Sequence, residues 1–221
     1  PCTEETQYAP NSPYAASKAS SDHLVRAYFR TYGLQTSISN CSNNFGAFQF
    51  PEKLIPLMII NALHGEPLPI YGDGRNVRDW LHVLDHCRAI DLILQTGVPG
   101  ETYNVGGNAE RRNIDVVETV CGLLDEAMNS MQEFRTRFPK AGSEHGSKEL
   151  IQFTADRPGH DRRYAIDHSK ISTTLRYMPE TSFEEGIAQT LRWYLDHQYW
   201  WEAVLDQSYR DWMQENYVAR R

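Results

Sequence analysis

No stretch of the 221 residues is long and apolar enough to read as a membrane span. The longest apolar run, Leu54 to Leu63, is broken by Pro56 and Asn61 and falls short of the roughly 20 residues a span needs. Positive charge is in the minority, 22 Lys+Arg against 29 Asp+Glu. The net of −7 sets the molecule as a whole against nucleic acid and anionic membrane surfaces. Any phosphate it binds must meet a local basic pocket. Cysteine is scarce: Cys2, Cys41, Cys87 and Cys121 form no close pair and no metal-ligand spacing, which predicts reduced thiols in a cytoplasm. Also missing are a G-x-G-x-x-G turn, a signal peptide and an initial Met. An engineered, cleaved or incomplete chain would each explain the last. What remains, with 14 Gly, 11 Pro and 40% hydrophobic residues, is ordinary globular composition, enough for one large domain or two small ones.

Ser12-Pro13-Tyr14 opens a helix that Gly33 closes, Ser12 capping and Pro13 taking the first position, where its missing N–H is no loss. Leu24, Val25, Tyr28, Phe29 and Tyr32 recur at three- and four-residue spacing on one face. The pattern then predicts a strand at Leu34–Ser39, a loop at Asn40–Gly46, a helix at Pro51–His64 and strands at Leu68–Tyr71 and Val77–Val83. A helix at Leu84–Gln95, a strand at Thr102–Val105 and a helix at Ile114–Met131 follow. Residues 132–149 lack periodicity and read as a mobile loop. Beyond them come a strand near Ile151–Phe153 and helices near Ser169, Phe183 and Trp201, with Ser182-Phe183-Glu184-Glu185 as a capping box. Alternating helix and strand makes the class α/β.

Tyr14 and Lys18 stand at i and i+4 in the first turns of the first helix. An ammonium beside a phenol favours the phenolate, which is how a tyrosine becomes a general base. Alone, Y-x-x-x-K is a chance pattern in many helices. Here it is followed by a strand, by Asn43-Asn44-Phe45-Gly46 and by Arg78-Asp79-Trp80-Leu81-His82-Val83, and the set resembles the extended short-chain dehydrogenase/reductase family, which reworks nucleotide sugars with NAD. The segments Asn43–Pro56 and Ala155–Tyr164 are similar to its dTDP-glucose 4,6-dehydratase branch.

That resemblance implies an incomplete Rossmann-like parallel sheet from residues 1–44 and 77–107. It implies a smaller mixed α/β sugar-nucleotide domain from residues 45–76 and 108–221. It implies that Tyr14 deprotonates the sugar 4-hydroxyl while Lys18 orients the nicotinamide ribose of NAD, with Asn44 by the cofactor and Asn43 by the substrate. Lys53 and Leu54 would lie beside the sugar diphosphate and Pro69, Ile70 and Tyr71 by the thymine. Arg78 would hold the diphosphate, Asn113 the nucleotide, and Asp156, Arg157, Pro158, Gly159 and His160 would wrap it. Core packing is the simpler account of Leu54, Pro69 and Ile70 without the resemblance, and Arg162 reads as a solvated ion-pair partner of its neighbours. The resemblance also implies dTDP-glucose as substrate and a homodimer through the Tyr14 helix.

The family's glycine fingerprint and its Thr-Asp-Glu cluster have no counterpart here, and Glu4 and Glu5 do not match that cluster. The expectation is a carboxyl-terminal portion, inactive alone. A UDP-sugar epimerase or decarboxylase, or a non-catalytic nucleotide-binding or dimerisation module, stands as the alternative. His82 and His86 have no third ligand nearby and do not suggest zinc. Trp193, Tyr194, Tyr199, Trp200, Trp201 and Tyr209 read as helix packing.

Overall fold

In the computed structural model, which describes residues 1–142, 144–156, 159 and 161–205, helices and strands alternate as an α/β chain should. The elements run α1 (Pro13–Tyr32), β1 (Ile38–Cys41), β2 (Asn43–Phe45), α2 (Leu54–His64), β3 (Leu68–Tyr71), β4 (Val77–His82), α3 (Val83–Thr96) and β5 (Thr102–Val105). They continue with β6 (Glu110–Arg112), α4 (Asn113–Ser130), α5 (Gln132–Arg137), a 3-10 turn (Ser147–Leu150), β7 (Ile151–Thr154), β8 (Arg163–Tyr164), α6 (Ser169–Leu175), α7 (Phe183–Asp196) and α8 (Gln198–Val204). No helix among the described residues is long and apolar enough to cross a membrane.

Two compact units form, each from three stretches of chain. Of the described residues, the first takes those of Pro1–Phe45, Tyr71–Asn113 and Ala155–Gly186; the second takes those of Gly46–Ile70, Ile114–Thr154 and 187–205. This differs from the expected partition chiefly at Ala155–Gly186, which joins the first unit. The cause is pairing: β8 lies parallel to β4, with Arg78 opposite Tyr164, and Cys2 bridges Ile166.

In the first unit α1 begins and ends where its caps dictate. Ser12 Oγ accepts from the Ala15 amide at 3.1 Å, and Gly33 takes the left-handed conformation, φ 68°, while its N–H bonds back to Phe29. Part of the apolar face of α1 is uncovered: Leu24, Tyr28 and Tyr32 are exposed, while Val25 and Phe29 are half-buried. The strand after it starts later than the pattern suggests, at Ile38, because its extent is set by the parallel partner β5, Ile38 opposite Thr102. Residues in the expected loop instead form β2, parallel to β4, with Asn43 opposite Trp80. β6 adds to β4 antiparallel. Leu81, Ala89, Ile93, Tyr103, Val105 and Ile171 make the buried core between these strands and helices α3 and α6.

In the second unit α2 is apolar on nearly every side and is buried accordingly. It stops at Gly65, where φ is 67° and a Cβ would come within 2.6 Å of the Lys140 carbonyl oxygen. β3 pairs with β7. The expected mobile loop at 132–149 is corrected: α5 and the 3-10 turn fall within it, and Phe134, Phe138 and Ser147 are buried. Ser147 is anchored by its N–H and hydroxyl to the Asp125 carboxylate. The aromatic group packs as helix core, Tyr194 and Trp201 buried and Trp193 stacked on His197, while Tyr199 is exposed and Tyr209 lies outside the described residues.

Candidate active site

Parallel strands of an α/β sheet direct ligands to their carboxyl ends, and in the first unit two of the expected residues, Asn43 and Asn44, follow the carboxyl end of β1 and open β2. Asn43 and Asn44 are half-buried. Asn44 Nδ2 donates to the Ser42 carbonyl at 3.0 Å and to Cys41 Sγ at 3.2 Å, while its Oδ1 lies 3.0 Å from His86 Nδ1. His86, on α3, had no functional role in the sequence, where a helix histidine looks like surface. In the fold it is a neighbour of Asn44, and burial pushes its pKa below the usual histidine value.

Tyr14 stands in the first turn of α1, 72% exposed, with Lys18 Nζ 5.8 Å from its ring centroid. The helical spacing thus brings phenol and ammonium together. A second phenol shows the contrast. Tyr8 donates to Asp22 Oδ2 at 2.5 Å, and burial together with that carboxylate pushes its pKa up. Of the two, Tyr14 has the cation and Tyr8 the anion.

Arg78 on β4 donates to the backbone carbonyls of Val77 and Asp161, each at 2.8 Å. These bonds fix the plane of the guanidinium from the strand side. Its neighbour Asp79 escaped the sequence reading. That residue is buried, 2% exposed, and its two carboxylate oxygens accept from the Gly107 amide at 2.8 Å and the Ala109 amide at 2.7 Å. Asn113 opens α4, its N–H bonded to Asn76 O at 3.0 Å, and its Oδ1 is buried with no donor among the described residues. An acceptor left in that state is what a ligand N–H or O–H would complete. Asp156 lies against Gly72, and Gly159 turns the chain with φ 70°. Arg157, Pro158 and His160 lie outside the described residues.

Arg162 and Arg163 are paired, though not with sequence neighbours. Arg162 forks onto Asp73 at 2.7 and 3.1 Å, holding that carboxyl down at about 2, and Arg163 forks onto Glu110, both bonds 2.8 Å. The partners expected, Asp156 and Asp161, are replaced by residues far away in the chain.

In the second unit Lys53 sits exposed just before α2, its Nζ 2.7 Å from Glu52 Oε1, and Leu54 begins the helix half-buried. Pro69 is half-buried and Ile70 is core, 1% exposed, so packing accounts for the Ile70 side chain. Tyr71 is half-buried in the first unit.

The family model described as GDP-mannose 4,6 dehydratase matches residues 1–190. A dTDP-glucose 4,6-dehydratase of Escherichia coli is 55% identical over 94% of this chain and 55% of its own length, and one of Xanthomonas campestris pv. campestris is 59% identical over 94% and 56%. The chain therefore spans about half the length of the curated relatives it matches. Among solved structures, dTDP-glucose 4,6-dehydratase of Bacillus anthracis in complex with NAD is 46% identical, with a TM-score of 0.78 over 92% of this chain and 58% of that one. That of Streptomyces venezuelae, also with NAD bound, is 45% identical, with a TM-score of 0.79 over 92% and 57%. UDP-glucuronic acid 4-epimerase of Bacillus cereus is 25% identical, with a TM-score of 0.73 over 89% and 56%.

Proposed function

We propose, from the premise that this chain belongs to the GDP-mannose 4,6 dehydratase family, that it carries the base and much of the nucleotide site of a dTDP-glucose 4,6-dehydratase. The observation behind this reading is the Tyr14–Lys18 pair, set on an exposed helix start in a chain 55% identical to such an enzyme. The reaction is oxidation at C4, loss of water across C5 and C6, and reduction at C6. NAD, when bound, supplies the hydride acceptor and then the donor.

The donor set fits that cofactor: Tyr14 and Lys18 offer a phenol and a cation to ribose hydroxyls, and Asn44, in the same unit, has an ordered amide where β2 opens. In this reading Tyr14 removes the 4-hydroxyl proton. Lys18 is placed to offset the negative charge that the phenol oxygen must carry before it takes that proton. Arg78, its plane fixed by Val77 and Asp161, directs donors to the diphosphate. Asn113 Oδ1 gains the donor it lacks from the nucleotide. Asn43, Lys53, Leu54, Pro69, Tyr71, Asp156 and the stretch from Arg157 to His160 complete the proposed substrate contacts. The proton at C5 and the hydroxyl at C6 are assigned to no side chain of this chain. The uncovered part of the apolar face of α1, with Leu24, Tyr28 and Tyr32, supports a homodimer through that helix, and four free thiols suit a reducing cytoplasm.

Titration of the chain with dTDP, UDP and GDP tests the reading. dTDP differs from UDP by its 5-methyl and by lacking the 2′-hydroxyl; one buried methyl is worth about tenfold in discrimination, so dTDP should bind more tightly than UDP by about tenfold or more. Equal affinities for the three would remove dTDP-glucose as the substrate.

A further inference from the structure

The carboxamide of Asn44 has an orientation that can be deduced. Nδ2 lies 3.0 Å from the Ser42 carbonyl oxygen, and turning the amide over would set two carbonyl oxygens against each other at that distance. Oδ1 therefore faces His86, one turn into α3, at 3.0 Å. An oxygen there can only accept, so the imidazole carries its proton on Nδ1. Its Nε2 is then a bare lone pair, buried and without a donor among the described residues. Burial lowers the pKa of the ring, and a ring with one fixed N–H locks the amide in turn.

We propose that His86 is a positioning residue for Asn44, holding its carboxamide through an Nδ1–H tautomer so that the stretch from Cys41 to Asn44 is set before the cofactor arrives. The proposal rests on the cofactor role given to Asn44 above. The chain of dependence runs from the Ser42 carbonyl through the Asn44 amide to the His86 ring, all within one unit.

Two measurements on the 221-residue chain test it. Nitrogen-15 NMR of the histidine rings should show His86 as a single Nδ1–H tautomer, and Asn44→Ala should release it to a mixture. An Nε2–H or averaging ring in the unaltered chain overturns the proposal without any variant having to fold. Calorimetric titration with NAD then reads the consequence. His86→Leu should weaken binding on the order of tenfold, the scale of one hydrogen bond, and His86→Asn, which keeps a donor near the Nδ1 position, should recover most of it at an equal thermal midpoint. If both variants lose NAD in proportion to their loss of stability, the role is structural and the proposal fails. If the unaltered chain shows the tautomer but binds no NAD, the cofactor reading falls while the link between His86 and Asn44 stands.

Discussion

The cost of Asp79→Ala can be worked from four atoms. The two carboxylate oxygens of Asp79 each accept one backbone N–H, Gly107 at 2.8 Å and Ala109 at 2.7 Å, in a site 2% exposed. Alanine removes both acceptors. A buried donor left without a partner costs about 1–3 kcal/mol, so two cost about 2–6 kcal/mol, a large share of the 5–15 kcal/mol typical of a domain. Asp79→Asn keeps one acceptor oxygen and should fall between the two. Hydrogen exchange at the Gly107 and Ala109 amides reads the site directly, and urea unfolding reads the total. Protection unchanged at both amides, with a loss below about 1 kcal/mol, would refute the assignment of Asp79 as the anchor of the turn between β5 and β6.

Two further predictions concern acid and glycine. His82 and His86 are both pushed below the ordinary histidine pKa by burial, in His82 against an opposing pull from Asp85. Below the ordinary value of about 6.5 the unfolded chain binds protons that the folded chain refuses, so stability should fall as pH drops through that point and level off once the folded rings protonate. Urea midpoints that rise on acidification across that window would contradict the sign. Gly107→Ala and Gly122→Ala should act oppositely. A Cβ at Gly107 would lie 1.9 Å from the Trp80 carbonyl oxygen, which forces β4 to move at about 3 kcal/mol or more. A Cβ at Gly122, inside α4, meets nothing within 4 Å and should stabilise by about 0.5–1 kcal/mol. Thermal midpoints of the two variants check the pair.

Local chemistry made some of this legible in the sequence. Ser12, Pro13 and Gly33 delimit α1, and Ser182 with Glu185 caps α7 as the motif requires, Ser182 Oγ accepting from the Glu185 amide at 3.2 Å. Tyr14 and Lys18 meet because helical spacing makes them meet. Features set by distant partners were not legible. β2, β6 and β8 are two or three residues long, too short for a period, and exist because β4 offers edges to them. The start of β1 at Ile38 is decided by β5 some sixty residues later. Arg162 and Arg163 find Asp73 and Glu110 across the fold rather than their neighbours. Asp79 and His86 are polar letters in a strand and a helix, indistinguishable from surface residues until burial is known. Phe134 and Phe138, by contrast, did carry a helical i, i+4 signal inside the segment read as a loop.

The interleaving of the two units has a consequence during synthesis. β4 receives its partner β8 only when Arg163 and Tyr164 have been made, and β2, its other parallel neighbour, ends at Phe45. At the usual pace of elongation, roughly 5–20 residues each second, the first-made strands wait on the order of ten seconds for the last. Through that interval the second unit's α2 and α4 emerge between them. Neither unit can be finished before the other is well begun, and no single cut in the chain would release one of them whole.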